Sequence, residues 1–206
     1  MVKYAIIAVI AYLLGSVSVA VLLTRDALGS DVRNQGSGNA GATNVARVFG
    51  LKAGIITLAG DMVKAALSGL AGVLIGGQTG LAVACLACLV GHCWPVYFGF
   101  KGGKGVSVAG CIALLLDWRF FLALVSWFAM MAILSRRVSF ASCTSAVVYP
   151  LLYWHFNRGM SAPLAVCIIM AVIVLIMHRA NIVRLIHGTE PVFHAKTKDE
   201  KSEEKD

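Results

Sequence analysis

Seven apolar runs separated by short polar loops constrain this chain more than any other feature. They cover residues 4–24, 53–77, 79–100, 105–116, 120–135, 138–156 and 162–177. A helix rises about 1.5 Å per residue, so about 20 apolar residues cross the roughly 30 Å hydrocarbon layer of a bilayer. With 59% apolar residues, 14% charged residues and a mean hydropathy of +0.81, a 206-residue chain cannot hide so much hydrocarbon in a water-soluble core. The expected fold is all-α: a polytopic membrane protein of about seven transmembrane helices, one or two of them short or re-entrant. The run 105–116 is the clearest short one, because Asp117-Trp118-Arg119 ends it after about twelve residues. Five full crossings plus two short ones is the alternative count. The first run carries no small-residue cleavage site, so it is expected to stay in the mature chain rather than serve as a signal peptide.

Cations set the orientation, since basic loops are retained on the cytoplasmic side. Seven crossings with the N-terminus outside place Arg25, Arg33, Arg47, Lys52, Lys101, Lys104, Arg136, Arg137, Arg179, Arg184, Lys196, Lys198, Lys201 and Lys205 inside. Only Lys3, Arg119 and Arg158 then face outward, with Lys64 within a helix. The C-terminus is inside, and the net charge of +8 reads as topology rather than nucleic-acid binding. Residues 1–194 read as a single membrane domain and 195–206, rich in Lys, Glu and Asp, as a disordered charged cytoplasmic tail. The six cysteines lie in apolar runs, where free cysteine acts as a small hydrophobe, so neither disulfides nor a metal site are expected, the Cys85–Cys88 spacing included.

Three polar loops on the predicted inner face carry the chemistry. The first, Gly36 to Arg47, offers neutral hydrogen-bonding groups at Ser37, Asn39, Thr43 and Asn44 and a planar guanidinium at Arg47, a mixture suited to a polyol phosphate. The same residues also suit a loop capped by its own side chains, with Thr43 or Asn44 as the N-cap of the next helix. In the second, Lys101 and Lys104 flank Gly102, Gly103 and Gly105, whose backbone N–H groups can approach an anion closely. A tight turn with lysines facing lipid head groups is the plainer alternative. The spacing is one residue too short for a nucleotide-hydrolase P-loop, and Gly105 stands where a magnesium-binding hydroxyl is required. In the third, His178 ends the last run and Arg179, Asn181 and Arg184 follow within two helical turns. Such a histidine can serve as a general base or simply face solvent at a helix end. Glu190, between Gly188 and Pro191, is available to a nearby cation.

Within the runs, Asp61 and Lys64 are three residues apart and can neutralise each other on one helical face, Asp61 lying about 12 Å inside its run. Pro95 is expected to kink the third run, and His92 reads as a satisfied bundle histidine ahead of a catalyst.

The segments GSGNAGATNVARVFG, GHCWPVYFGFKGGKGV and HRANIVRLIHGTEP resemble, in order and spacing, the three motifs of the bacterial acyl-phosphate:glycerol-3-phosphate acyltransferases of the PlsY type. The resemblance extends to about residue 194. Departures are Ser107 and Val108 in place of Ala and Thr, Val183 in place of a basic residue, and Ala65 in place of Gly. The resemblance implies acyl transfer from acyl phosphate to the 1-hydroxyl of glycerol 3-phosphate at the bacterial cytoplasmic (inner) membrane, giving lysophosphatidate and phosphate without a cofactor. It implies catalytic roles for Ser37, Arg47, Lys104, His178 and Asn181. It also gives substrate binding to Lys101, Gly102, Gly103 and Gly105 and a structural role to Glu190; the chemistry of the residues adds Asn39, Thr43, Asn44, Arg179 and Arg184 as substrate-binding and Asp61 and Lys64 as a structural pair. The expected partners are both substrates, membrane lipids and the enzyme that makes acyl phosphate. No G-x-S-x-G elbow or electropositive cysteine is present, so direct attack on the activated donor is the economical mechanism. Its proton can pass to His178 or to the donor's own phosphate. A transporter of organic phosphates would need polar groups continuing through the membrane and repeated halves, and a CDP-alcohol phosphotransferase would need clustered aspartates; the sequence has neither.

Overall fold

The structure is a computed structural model that describes residues 1–158 and 162–194; the tail expected at 195–206 lies outside the described residues. Among these residues the regular structure is helical throughout. The chain runs through α1 (Val2–Gly15), α2 (Val19–Leu22), which continues as a wider π turn to Ala27, α3 (Ala42–Phe49), α4 (Leu51–Cys93) and α5 (Val106–Leu116). It ends with α6 (Trp118–Ser135), α7 (Val138–Asn157), α8 (Ala162–Met177) and α9 (Arg179–Ile186). By length and apolar content, Val2–Ala27, Leu51–Phe98 and Trp118–Ser135 are long enough to cross a bilayer, and α8 with α9, bent by 63° at His178, makes a fourth if the pair is one span.

The 43-residue α4 is two helices, because Gly77 breaks it with φ 61° and ψ −148°, a conformation that residues with a Cβ rarely adopt. Residues eight apart in a straight helix stand about 12 Å from each other. Here a Cβ on Gly72 would lie 2.5 Å from the Gly80 carbonyl oxygen, so the chain doubles back and the halves pack backbone to backbone. This hairpin supplies the second and third apolar runs. The 11-residue α5 rises only about 16 Å, matching the short run after Lys104.

Two expectations change. The third run does not continue to residue 100 with a kink: its helix stops at Cys93, Trp94 turns extended (φ −128°, ψ 71°), and Pro95 opens a 3₁₀ turn over Val96–Phe98. Proline disfavours the α conformation in the residue before it, so Pro95 ends this helix, whereas Pro150 sits within α7. The first run is not one continuous helix either. It breaks at Ser16–Ser18, where the Ser18 hydroxyl caps Val21 N–H and the freed Val17 carbonyl accepts from Lys64 Nζ at 2.7 Å.

Ile7, Leu89, Ile112, Phe120 and Met170 are fully buried at the bundle centre, and Phe120 packs edge-on against Tyr149 and Tyr153 at 4.8 and 5.7 Å. Leu74, Ile133 and Leu134 face outward, as a lipid-facing surface requires. We predict that Gly80→Val, which forces side-chain atoms against the Gly72 backbone, costs about 1–3 kcal/mol and lowers the unfolding temperature in detergent, while Gly110→Ala, in open space within α5, does not lower it.

Candidate active site

The first polar loop is built around Asn44, which is 1% exposed. Its Oδ1 accepts from Ser37 N–H at 2.9 Å, and its Nδ2 faces the carbonyls of Val32, Gln35 and Asn39 at 3.2, 3.0 and 3.1 Å. The amide of Asn44 therefore holds the loop closed. Arg33 binds Asp31 at 2.7 Å and donates from its other terminal nitrogen to the Phe98 carbonyl at 2.7 Å, tying this loop to the turn after α4.

In the second loop Gly103 N–H donates to the His92 carbonyl at 3.1 Å, so this amide is committed to the protein. A Cβ on Gly103 would collide with His92 Nε2, and only glycine fits there. Gly105 (φ +83°) turns the chain into α5. Between them Lys104 projects to α9, where Nζ donates to Asn181 Oδ1. Asn181 Nδ2 donates to Glu190 Oε1 at 2.6 Å, and Arg184 Nε to Glu190 Oε2 at 2.7 Å. Arg137, opening α7, donates to the main-chain carbonyl of Glu190 at 2.9 Å. One carboxylate thus fixes an amide, a guanidinium and, through the amide, an ammonium.

Burial pushes the Lys104 ammonium down to about 8, with Arg184 and Arg47 adding to the effect and Glu190 opposing it. Burial acts against the Glu190 carboxylate, but its hydrogen bonds, those from Asn181 and Arg184 among them, outweigh it and hold its pKa below the usual glutamate value. At the bend between α8 and α9, His178 Nδ1 lies 2.8 Å from the Val174 carbonyl. A carbonyl only accepts, so Nδ1 carries the proton and Nε2 of the neutral ring is left as an acceptor.

These groups share a cavity of about 710 Å³. Ser37, Asn39, Thr43, Asn44, Arg47, Lys104, His178, Asn181, Arg184 and Glu190 line its polar end, and Gly105 contributes to its wall. Most of the remaining wall is apolar, lined among others by Leu58, Met62, Phe121, Leu124, Phe128, Tyr149 and Met170. Of the residues singled out for catalysis or substrate binding, Lys101, Gly102, Gly103 and Arg179 do not line it; Lys101 is exposed and Arg179 donates to the Ile176 carbonyl of its own turn. The structure adds His92 and Ser107 to the wall, and Ser139, Ser142 and Ser145 from α7. The three-residue spacing of those serines within an apolar run was the available signal for a polar-lined face.

Behind the glycine turn, Asp61 Oδ1 meets Lys64 Nζ at 2.9 Å, Ser107 Oγ donates to Asp61 Oδ2 at 3.0 Å, and His92 Nδ1 lies 3.5 Å from Asp61 Oδ1. All but Ser107 are buried.

Residues 5–188 match the family described as glycerol-3-phosphate acyltransferase. A protein of that name from Syntrophotalea carbinolica is 40% identical over 197 residues, covering 95% of this chain and all of that one. Another from Thioalkalivibrio sulfidiphilus is 44% identical, covering 92% and 93%. The crystal structure of PlsY, an integral membrane glycerol 3-phosphate acyltransferase, in its glycerol 3-phosphate form superposes with a TM-score of 0.86 at 33% identity over 93% of this chain and 96% of that one. Its lysophosphatidic acid form gives 0.83 at 31% identity, covering 96% and 97%.

Asn44→Ala leaves one amide hydrogen and three carbonyls without their partner. It is predicted to destabilise the protein by about 1–3 kcal/mol, read as a lower unfolding temperature and faster proteolysis within residues 30–41.

Proposed function

Because this chain belongs to the glycerol-3-phosphate acyltransferase family, we propose that it transfers a fatty acyl group from acyl phosphate to the sn-1 hydroxyl of glycerol 3-phosphate, the first acylation step of phospholipid synthesis. One observation carries this reading: a single cavity of about 710 Å³ is lined both by the cations Arg47, Lys104 and Arg184 and by a largely apolar wall. An acyl phosphate has that same division, an anionic head on a hydrocarbon tail, and the hydroxyls and amides of Ser37, Asn39 and Thr43 suit a small polyol phosphate beside it.

Acyl phosphate is already activated, so the protein's task is to bring two anions together and to stabilise charge. Arg47 and Lys104 hold the phosphates, and Ser37, Asn39 and Thr43 orient the acceptor. Lys101, Gly102, Gly103 and Arg179 take part by shaping the loops, since they stand outside the cavity. His178 Nε2 accepts the hydrogen bond of the acceptor hydroxyl, whose oxygen attacks the acyl carbonyl carbon. The carbon–oxygen bond to phosphate breaks, the proton ends on the departing phosphate, and lysophosphatidate and inorganic phosphate leave. Asn181 and Glu190 keep Lys104 and Arg184 in register, while Asp61 and Lys64 hold the helices behind them. No covalent acyl-enzyme forms and no cofactor is used. The surplus of cations around the mouth supports a cytoplasmic active site in a bacterial inner membrane, N-terminus out and C-terminus in, where the enzyme that makes acyl phosphate can deliver its product.

Purified protein given glycerol 3-phosphate and palmitoyl phosphate is expected to form lysophosphatidate, and palmitoyl-CoA or palmitoyl-carrier protein to give none; turnover with a thioester alone would overturn the donor. Arg47→Ala and Lys104→Ala are each expected to lower kcat/KM about a hundredfold, the size of one lost charge-assisted contact. His178→Ala at wild-type rate would remove the imidazole from the mechanism. Lys104 is charged below its pKa, so the KM for glycerol 3-phosphate is expected to rise as pH climbs through about 8. Lys104→Arg, which stays protonated, flattens that limb.

A further inference from the structure

Asp61, Lys64, His92 and Ser107 form an inner polar group that acyl transfer itself does not use. Ionisable side chains in such a place are costly, and they are kept where they hold something in position. Asp61 and His92 are 1% and 5% exposed, so neither is held there by water.

Two contacts connect this group to the mouth of the cavity. His92 grips Gly103 from two directions: its carbonyl accepts Gly103 N–H at 3.1 Å, and its Nε2 edge packs where a Gly103 side chain would be. On the other edge of the ring, Nδ1 faces Asp61 Oδ1 at 3.5 Å. Ser107, in the first turn of α5, donates to the second oxygen of the same carboxylate at 3.0 Å. Lys104 lies between these anchors, one residue after Gly103 and three before Ser107. Lys64, bound at once to Asp61 and to the Val17 carbonyl, fixes the carboxylate against the break in the first span.

The geometry points to His92 and Asp61 as positioning residues for Lys104: the carboxylate sets the plane of the imidazole and holds Ser107, and these two anchors fix the stretch from Gly103 to Ser107 that carries the ammonium to the substrate phosphate. This rests on the acyl-transfer reading of the cavity. A displacement of about 1 Å at a charge-assisted contact is enough to cost one to two orders of magnitude in substrate use.

The test measures kinetics with palmitoyl phosphate and glycerol 3-phosphate for wild type, His92→Phe, His92→Asn and Asp61→Asn, together with unfolding temperature in detergent. His92→Phe fills the space without a donor, and Asp61→Asn removes the charge; each is expected to raise the KM for glycerol 3-phosphate about tenfold while kcat stays within about threefold. His92→Asn, whose amide nitrogen can stand in for Nδ1, is expected to stay within about threefold of wild type in both. Wild-type KM in folded His92→Phe and Asp61→Asn overturns the inference, as does an equal loss in the Asn and Phe variants, which is what simple packing would give. If either severe variant fails to fold, Ser107→Ala decides: it deletes one hydroxyl, and a KM raised about threefold supports the inference where a wild-type KM overturns it. Calorimetric binding of glycerol 3-phosphate to the same proteins separates the two readings. Wild-type protein that binds it but makes no product with any donor refutes acyl transfer, while the order of dissociation constants still tests the positioning.

Discussion

A carboxylate removed from water must collect donors, and Asp61 collects them from several parts of the chain. Lys64 comes from its own helix, His92 from the returning half of the α4 hairpin and Ser107 from α5, while Lys64 adds the Val17 carbonyl at the break in the first span. This arrangement of the helices gives Asp61 those partners, and a partly satisfied group would be worse than an apolar core. The broken first span, the hairpin at Gly77 and the short α5 are thereby locked in one relation. That relation places the glycine turn where Lys104 reaches the cavity.

Glu190, buried in the loop after α9, plays the corresponding part on the other side of Lys104. Its two oxygens take Asn181 and Arg184, and Asn181 passes the order on to Lys104. Two carboxylates therefore frame the cationic mouth, one from behind and one from the loop after α9. Neither needs to touch substrate. The bend at His178 follows the same economy: the helix gives up its straight path, and the imidazole, at the cavity wall, takes the Val174 carbonyl through Nδ1. Between these polar elements and the apolar bore runs a boundary that an amphiphilic donor would straddle.

Much of this is legible in the residues. Apolar runs give the helices with nearly the right limits, because in a bilayer every backbone group must pair within its own segment and the helical period is enforced by the solvent. The three loops are marked by glycines, amides and cations that have no business between apolar runs unless they bind something or cap something. What is not legible is the division of labour within them. Asn44 reads equally as a ligand for substrate and as a residue that caps its own loop, and its amide closes the loop; Gly103 reads as part of an anion nest or of a tight turn, and its N–H serves His92. A sequence displays donors and acceptors without saying which of them the fold will consume. The breaks at Ser16–Ser18 and after Cys93 escape the sequence for a related reason: a capping serine and a proline are local signals, and whether they bend a helix or end it depends on what lies ready to take the freed carbonyls. Ser107, which stands out in the sequence only as a departure from the family pattern, acquires its meaning from Asp61, 46 positions away.

The central claim is that both substrates sit in one cavity and react with each other, with no acyl group ever carried by the protein. Initial rates measured over a grid of glycerol 3-phosphate and palmitoyl phosphate concentrations test it most directly. A ternary complex gives reciprocal plots that intersect, and no exchange of labelled phosphate into palmitoyl phosphate in the absence of acceptor. Parallel lines with acceptor-independent phosphate exchange would mean an acyl-enzyme, and direct attack by the glycerol hydroxyl would be ruled out.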